Sequence, residues 1–326
     1  MSTTPLYSKL QKILASGHFG VTSECGPPRS CDPKGVEEKA SMIGDYVDAI
    51  NVTDNQTAVV RQCSLASCIR IKQMGYEPVL QMVTRDRNRI ALQSDLLGAG
   101  SFGINNILCL TGDHQSFGDH PNAANVFDLD STQLVQTVKK MRDEGKLLSG
   151  FELKECPQMF IGAAANPFAD PFEIRVSRLA KKVAAGAQFI QTQCIYNIPK
   201  FKQWMQGVVD RGLDEKVYIM AGMTPMKGVG MAKYMKNRVP GMDVPDDLIK
   251  RLSGVPKDKQ GEEGIKICIE QIQELKELKG VKGFHIMAIE WEEKVPEIVQ
   301  QAGLYPRPKV RSEERRVGKE CRSRWS

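Results

Sequence analysis

The run Pro78-Val79-Leu80-Gln81-Met82-Val83, then Arg89-Ile90-Ala91-Leu92-Gln93-Ser94-Asp95-Leu96-Leu97-Gly98-Ala99, then Asn106-Ile107-Leu108-Cys109-Leu110-Thr111 reads as strand, helix, strand. The two outer runs are short and apolar on both faces rather than alternating. A strand without a polar face is one buried on both sides, which is the condition of parallel strands covered by helices. Two parallel neighbours need a long crossover, and the middle run is long enough to be that crossover helix.

The same unit recurs in both directions along the chain. Strands are expected at 19–24, 49–53, 78–83, 106–111, 158–164, 188–193, 217–221 and 283–288. Helices are expected at 36–44, 61–74, 89–99, 132–144, 172–185, 199–209 and 294–301, with a longer helical region, 228–278, broken by Pro240, Pro245 and Pro256. Leu134, Val135, Val138 and Met141 share one helical face, as do Ile265, Ile269, Ile272 and Leu275. Eight such units in a body of about 310 residues fit a single-domain α/β fold, the (β/α)8 TIM barrel. A doubly wound open sheet is the alternative, but no Gly-x-Gly-x-x-Gly follows the first strand.

Composition narrows the class. No apolar run approaches the length of about 18 residues that a membrane-crossing helix needs. The N-terminus has no basic start followed by an apolar core, so a cytoplasmic location is expected and no membrane partner. Residues 311–326 shift abruptly to charge and resemble the in-frame translation of a common sequencing adapter. They are read as a non-native tail, which leaves 1–310 as the barrel. The tail carries +3 of the formal +6. The remaining excess is too weak to argue for nucleic acid. The 9 cysteines include no Cys-x-x-Cys pair, so no metal site is expected. Cys109, Cys194 and Cys268, in apolar stretches, are expected as buried free thiols.

In a barrel of this kind, the active site lies where strands run out into βα loops. Those ends carry Glu24, then Asn51-Val52-Thr53-Asp54, Gln81-Met82-Val83-Thr84, Thr111-Gly112-Asp113, Ala165-Asn166-Pro167 and Gln191-Thr192-Gln193. Glu24 and Asp113 are expected to face one pocket from non-adjacent strands. Two carboxylates there invite a division of labour between a protonated acid and a fixed anion.

Glu24-x-x-Pro27-Pro28, Thr111-Gly112-Asp113 and Ala185-Gly186-Ala187 with Thr192-Gln193, in this order and spacing, resemble the methylenetetrahydrofolate reductase family. The likeness runs from Phe19 to about Pro308 and is greatest to the short bacterial, anaerobe-type form. It implies flavin-dependent reduction of 5,10-methylenetetrahydrofolate to 5-methyltetrahydrofolate by ping-pong hydride transfer through FAD. NAD(P)H or an electron-transfer protein would be the donor, and a homo-oligomer or hetero-complex is compatible with the sequence. Glu24 matches the family's general acid, which opens the imidazolidine ring by protonation at N10. A carboxyl donates only when protonated, so a poorly solvated pocket is required, and Cys25, Gly26 and Pro27 supply no countercharge.

Asp113 matches the aspartate beside flavin and folate, and Gln193 the glutamine that hydrogen-bonds the pterin. Thr53 matches the threonine near flavin and nicotinamide, and Thr111 and Gly112 belong to the same flavin-side turn. Lys182 matches the basic residue on the flavin pyrophosphate, a role Lys181 and Arg178 could share.

Departures mark the nucleotide and folate-tail contacts. Gln81 stands where better-known bacterial members have histidine, and Asn166 where they have a tyrosine packed on flavin. The phenylalanine that helps stack nicotinamide is missing from Thr224-Pro225-Met226-Lys227-Gly228. The arginine that meets the folate tail is replaced around Ile289-Glu290-Trp291. A folate-dependent methyl-transfer component, or a non-catalytic subunit of a one-carbon complex, is the alternative reading.

Overall fold

A computed structural model describes residues 5–310. Eight parallel strands close into one barrel in chain order. They are β1 Gly20–Cys25, β2 Ala49–Val52, β3 Pro78–Val83, β4 Asn106–Leu110, β5 Phe160–Ala165, β6 Phe189–Cys194, β7 Tyr218–Met223 and β8 Val281–Ile286. Thr22 paired with His285 joins β1 to β8 and closes the ring. The α-helices are α1 Lys9–Ala15, α2 Lys34–Ile43, α3 Ser64–Gln73, α4 Arg89–Ser101, α5 Ser131–Asp143, α6 Arg175–Ala185, α7 Ile198–Asp210, α8 Val229–Arg238, α9 Asp246–Ser253, α10 Gln260–Lys276 and α11 Val295–Gln301. The expected strands are all present, and the region 228–278 divides at its prolines into α8, α9 and α10. The tail expected to be foreign, 311–326, lies outside the described residues.

The helices pack as their periodicity dictates. Leu134, Val135, Val138 and Met141 of α5 are fully buried. Asp130 and Gln133 form a reciprocal capping box that fixes where α5 begins. Each such apolar side chain taken from water stabilises the fold by about 1.5–3 kcal/mol. Among the described residues no helix is long and apolar enough to cross a membrane.

The barrel interior is layered. At the bottom, Leu10 and Leu14 of α1 pack with Ala49, Val79, Leu108, Phe160, Phe189 and Met220. Helix α1 was not among the expected elements. Seven residues are too few for periodicity to stand out, and the Ser8 cap and the i, i+4 leucine pair matter only once there is a barrel to plug. Phe189 fills the centre so closely that a Cβ on Gly162 would lie 2.2 Å from its ring. A buried ion pair ties the segment after α11 to this bottom face: Arg307 Nε lies 3.0 Å from Asp48 Oδ1, and Val21 N donates to the other Asp48 oxygen at 2.8 Å.

Above the apolar floor lies a polar layer. Asn51 and Gln191 exchange amide hydrogen bonds of 2.7 and 3.1 Å across the barrel, and Gln191 Nε2 donates to Thr22 Oγ1 at 2.9 Å. All three side chains are buried. Buried polar groups survive only when paired, so this layer sets one register for β1, β2 and β6. It carries the next layer, which is the rim.

Candidate active site

Thr22 and Glu24 stand two apart on β1 and therefore point to the same side, into the barrel. The Glu24 side chain is 18% exposed. Gln81 of β3 donates from Nε2 to Glu24 Oε1 at 3.4 Å, and His285 Nε2 of β8 lies 3.6 Å from the same oxygen. His285 Nδ1 is 2.9 Å from Thr22 Oγ1. That hydroxyl already accepts from Gln191. Its own proton is paired only if Nδ1 accepts it, which leaves the imidazole hydrogen on Nε2, towards Glu24. Among the described residues no hydrogen bond engages Glu24 Oε2. The two polar neighbours thus share one carboxyl oxygen.

His285 was not singled out by the sequence reading. Its mark is a polar residue inside the apolar strand Phe284-His285-Ile286, in a chain with only 4 histidines. The local reading that Glu24 has no countercharge holds for its chain neighbours. The fold adds a titratable imidazole from the far end of the sequence.

The β2 and β3 ends are fixed by charge. Asp54 is buried, accepts from Val83 N at 2.9 Å and receives Arg87 at 2.7 and 3.2 Å. Burial disfavours the Arg87 cation, but Asp54 and Asp95 beside it hold its pKa above the ordinary guanidinium value. Arg85, also buried, reaches Asp113 O at 3.0 Å, Asn55 O at 3.3 Å and Asp86 at 2.7 Å. It clamps three loops and was likewise missed. Gly112 sits at φ +89, and a Cβ there would lie 3.1 Å from Val83. Both facts require glycine in the turn. Thr53 and Thr84 are buried with hydroxyls that have no partner among the described residues.

Other expected residues fall into two groups. Lys182 leans to the rim end of β5, its Nζ donating to Ala164 O at 2.6 Å. Burial there, and Arg178 nearby, lower its pKa from the ordinary lysine value. Lys181 and Arg178 are exposed on α6. Gln193 is exposed at the end of β6, where a register irregularity between Gln191 and Cys194 re-aims the strand. That kink needs Gly222 opposite, since a Cβ would meet Thr192 O at 2.2 Å.

Thr111 Oγ1 accepts from Ser131 N at 3.2 Å, so it helps start α5. Asn166 Oδ1 is taken up by Phe168 N at 2.9 Å and Ala169 N at 3.2 Å, a local turn. Asp113 is exposed on the β4 loop, and no hydrogen bond or ion pair joins its carboxylate to Glu24. The Glu24 carboxylate has Gln81 and His285 as its polar neighbours.

Cys31 and Cys63 are exposed, whereas Cys25, Cys68, Cys109, Cys194 and Cys268 are buried free thiols. The thiols expected to be buried in apolar stretches are buried.

A family model described as methylenetetrahydrofolate reductase matches residues 9–303. The chain belongs to the methylenetetrahydrofolate reductase family. It is 22% identical over 315 residues to a Caenorhabditis elegans protein named "Probable methylenetetrahydrofolate reductase (NADPH)", covering 92% of this chain and 44% of that protein. It is 25% identical over 234 residues to methylenetetrahydrofolate reductase 2 of Schizosaccharomyces pombe, covering 69% of this chain and 35% of that protein. The chain thus spans less than half the length of these curated relatives.

A solved structure from Clostridium thermocellum superposes with a TM-score of 0.58 at 14% identity, covering 90% of this chain and 98% of that one. That protein is uncharacterised and described as binding two copies of 5-methyl-5,6,7,8-tetrahydrofolic acid. At this identity the likeness concerns the fold.

Proposed function

We propose that this family member is a cytoplasmic, flavin-dependent reductase of 5,10-methylenetetrahydrofolate, with 5-methyltetrahydrofolate as product. The observation that carries the reading is Glu24. Its Oε1 is anchored by Gln81 and faced by His285, and among the described residues no hydrogen bond engages its Oε2. Ring opening of the substrate needs a proton at N10 from a group held in place and shielded from bulk water. Glu24 is that acid, and His285, fixed through Thr22, orients it. Asp113 supplies a negative charge on the opposite part of the rim, suited to a cationic N5-iminium. Gln193 offers donor and acceptor together, as a pterin edge requires.

The residues present fit a flavin. The orphaned hydroxyls of Thr53 and Thr84 are buried donors without partners, Gly112 leaves room at the turn, and Lys182 is a cation at the rim. When bound, the flavin supplies the hydride. Lys182, with Lys181 and Arg178 beside it, would hold a pyrophosphate, which favours FAD over FMN. Gln81 serves mainly to hold Glu24, and Asn166 mainly to shape its turn. Electrons come from NAD(P)H or an electron-transfer protein.

The test is direct. Flavin released by heat from the purified protein should be FAD, about one per chain, and 5-methyltetrahydrofolate should bind the same protein. Absence of flavin together with failure of FAD to reconstitute activity contradicts the reading.

A further inference from the structure

Between the pairs Gln191–Met220 and Cys194–Gly222, β6 advances three residues while β7 advances two. One residue of β6 is therefore extra, which is a bulge. A bulge takes ladder groups away from their usual partners, and buried backbone groups must still be paired. One side chain meets that need here. The Thr192 hydroxyl accepts from Gly222 N at 2.9 Å, where a β6 carbonyl would ordinarily stand, and donates to Gln193 O at 2.9 Å. The threonine is buried, and its branched Cβ limits the rotation that would break either bond.

These bonds act on the residue that follows. A Cβ on Gly222 would lie 2.7 Å from Gln193 O, so this carbonyl is turned against the β7 backbone. Just past the bulge the strands are tied again: Ile195 N donates to Gly222 O at 2.9 Å, and Cys194 Sγ lies 3.0 Å from Thr224 Oγ1. Gln193 is thus held on both sides, and it is the exposed residue of an otherwise buried strand. Once the backbone is fixed in this way, the direction of the side chain is fixed with it.

We infer that Thr192 is a positioning residue for the substrate: by pinning the carbonyl of Gln193 it aims the Gln193 carboxamide at the pterin. Thr192 acts through Gln193 and not through contact with the folate. The inference rests on the proposed role of Gln193 as the pterin contact.

The experiment is a double-mutant cycle on the FAD-loaded full chain, with 5-methyltetrahydrofolate binding read by calorimetry. Thr192→Val keeps the shape and removes the hydroxyl, and it should weaken binding about three- to tenfold. Thr192→Ser, which keeps the hydroxyl, should recover most of the affinity. Gln193→Ala should weaken binding as well, and adding Thr192→Val to it should cost nothing further. Should Thr192→Val fail to fold, Thr192→Cys, a weaker donor and acceptor of similar size, takes its place in the same cycle. Unchanged affinity in the Thr192 variant, with Gln193→Ala impaired, overturns the inference alone. Equal weakening by the Thr192 variant with and without Gln193 also overturns it, since the hydroxyl would then not act through that side chain. Gln193→Ala that binds as the wild type does overturns both the pterin role of Gln193 and this inference.

Discussion

His285 on β8 faces Glu24 on β1 across the seam where the barrel closes, with Nε2 3.6 Å from Oε1. The imidazole is fixed at its other nitrogen by Thr22, and Thr22 by Gln191, so Glu24 adjoins a chain of buried polar groups that runs to Asn51.

Glu24→Gln should remove the proton but keep the shape and the contact to Gln81. Reduction of folate by the reduced enzyme should fall about 10²–10⁴-fold, the usual loss for a positioned acid. Reduction of the flavin by a donor should hardly change. Stopped-flow measurement of the two half-reactions separates these. Equal damage to both would make Glu24 structural.

His285→Ala tests the orienting role. Without the imidazole, Glu24 loses one neighbour and the Thr22 hydroxyl loses its acceptor. The folate half-reaction should slow about tenfold or more, because misplacing a reacting group is costly. Its pH profile should also shift, while His285→Asn should recover part of the rate. A fall in stability with an unchanged pH profile would count against an orienting role.

The sequence carried the strands and most of the helices, because covered parallel strands are apolar on both faces and their helices are amphipathic. Glu24, Thr53, Gln81 and Gln193 could be located at strand ends for the same reason. What could not be read was anything that depends on closing the ring. Nothing local ties residue 285 to residue 24; only the β1–β8 pairing brings His285 to Glu24. The choice between Lys181 and Lys182 depends on the rotation of α6 against β5, and Ala164 O captures only Lys182. Arg85 stands in the charged run Arg85-Asp86-Arg87 with nothing local to set it apart, and it is buried because three loops supply it with acceptors. The Asp113 carboxylate is exposed because Arg85 holds the backbone of its turn and not its side chain.

Asp48→Ala should destabilise the fold without touching the rim. The carboxylate is fully buried and serves both Arg307 and Val21 N. Its loss leaves Arg307 buried and unpaired, for which about 3–5 kcal/mol is expected. Urea unfolding measures this. Activity per folded molecule should be preserved.

Alkaline pH should weaken the fold through its buried thiols. Burial pushes Cys25 and Cys268 up to about 12 and Cys194 to about 11, from an ordinary 9.0. Between those values the unfolded chain has lost protons that the folded one retains, so stability falls as pH rises above about 9. Replacing Cys268 by Ser should lessen the slope. At pH 8 a thiol reagent should label Cys31 and Cys63 readily and leave Cys25, Cys68, Cys109, Cys194 and Cys268 unlabelled until denaturation. Rapid labelling of the latter group would contradict their burial.

The electron donor is the next expectation. The stacking phenylalanine of the family is missing after β7, and the loss of an aromatic stack costs about 0.5–1.5 kcal/mol, roughly up to tenfold in affinity. A reduced electron-carrying protein, in complex with this chain, should therefore reduce the flavin faster than NADH or NADPH. Fast turnover of the isolated chain with micromolar NADH would end that expectation.

The central claim is tested most directly by one anaerobic mixing experiment. The FAD-loaded protein, fully reduced by light, is mixed with 5,10-methylenetetrahydrofolate, and flavin absorbance and products are followed together. The account predicts reoxidation of the flavin with one equivalent of 5-methyltetrahydrofolate formed, and loss of both in Glu24→Gln. A flavin that stays reduced in the wild-type protein, with the substrate recovered unchanged, would contradict it.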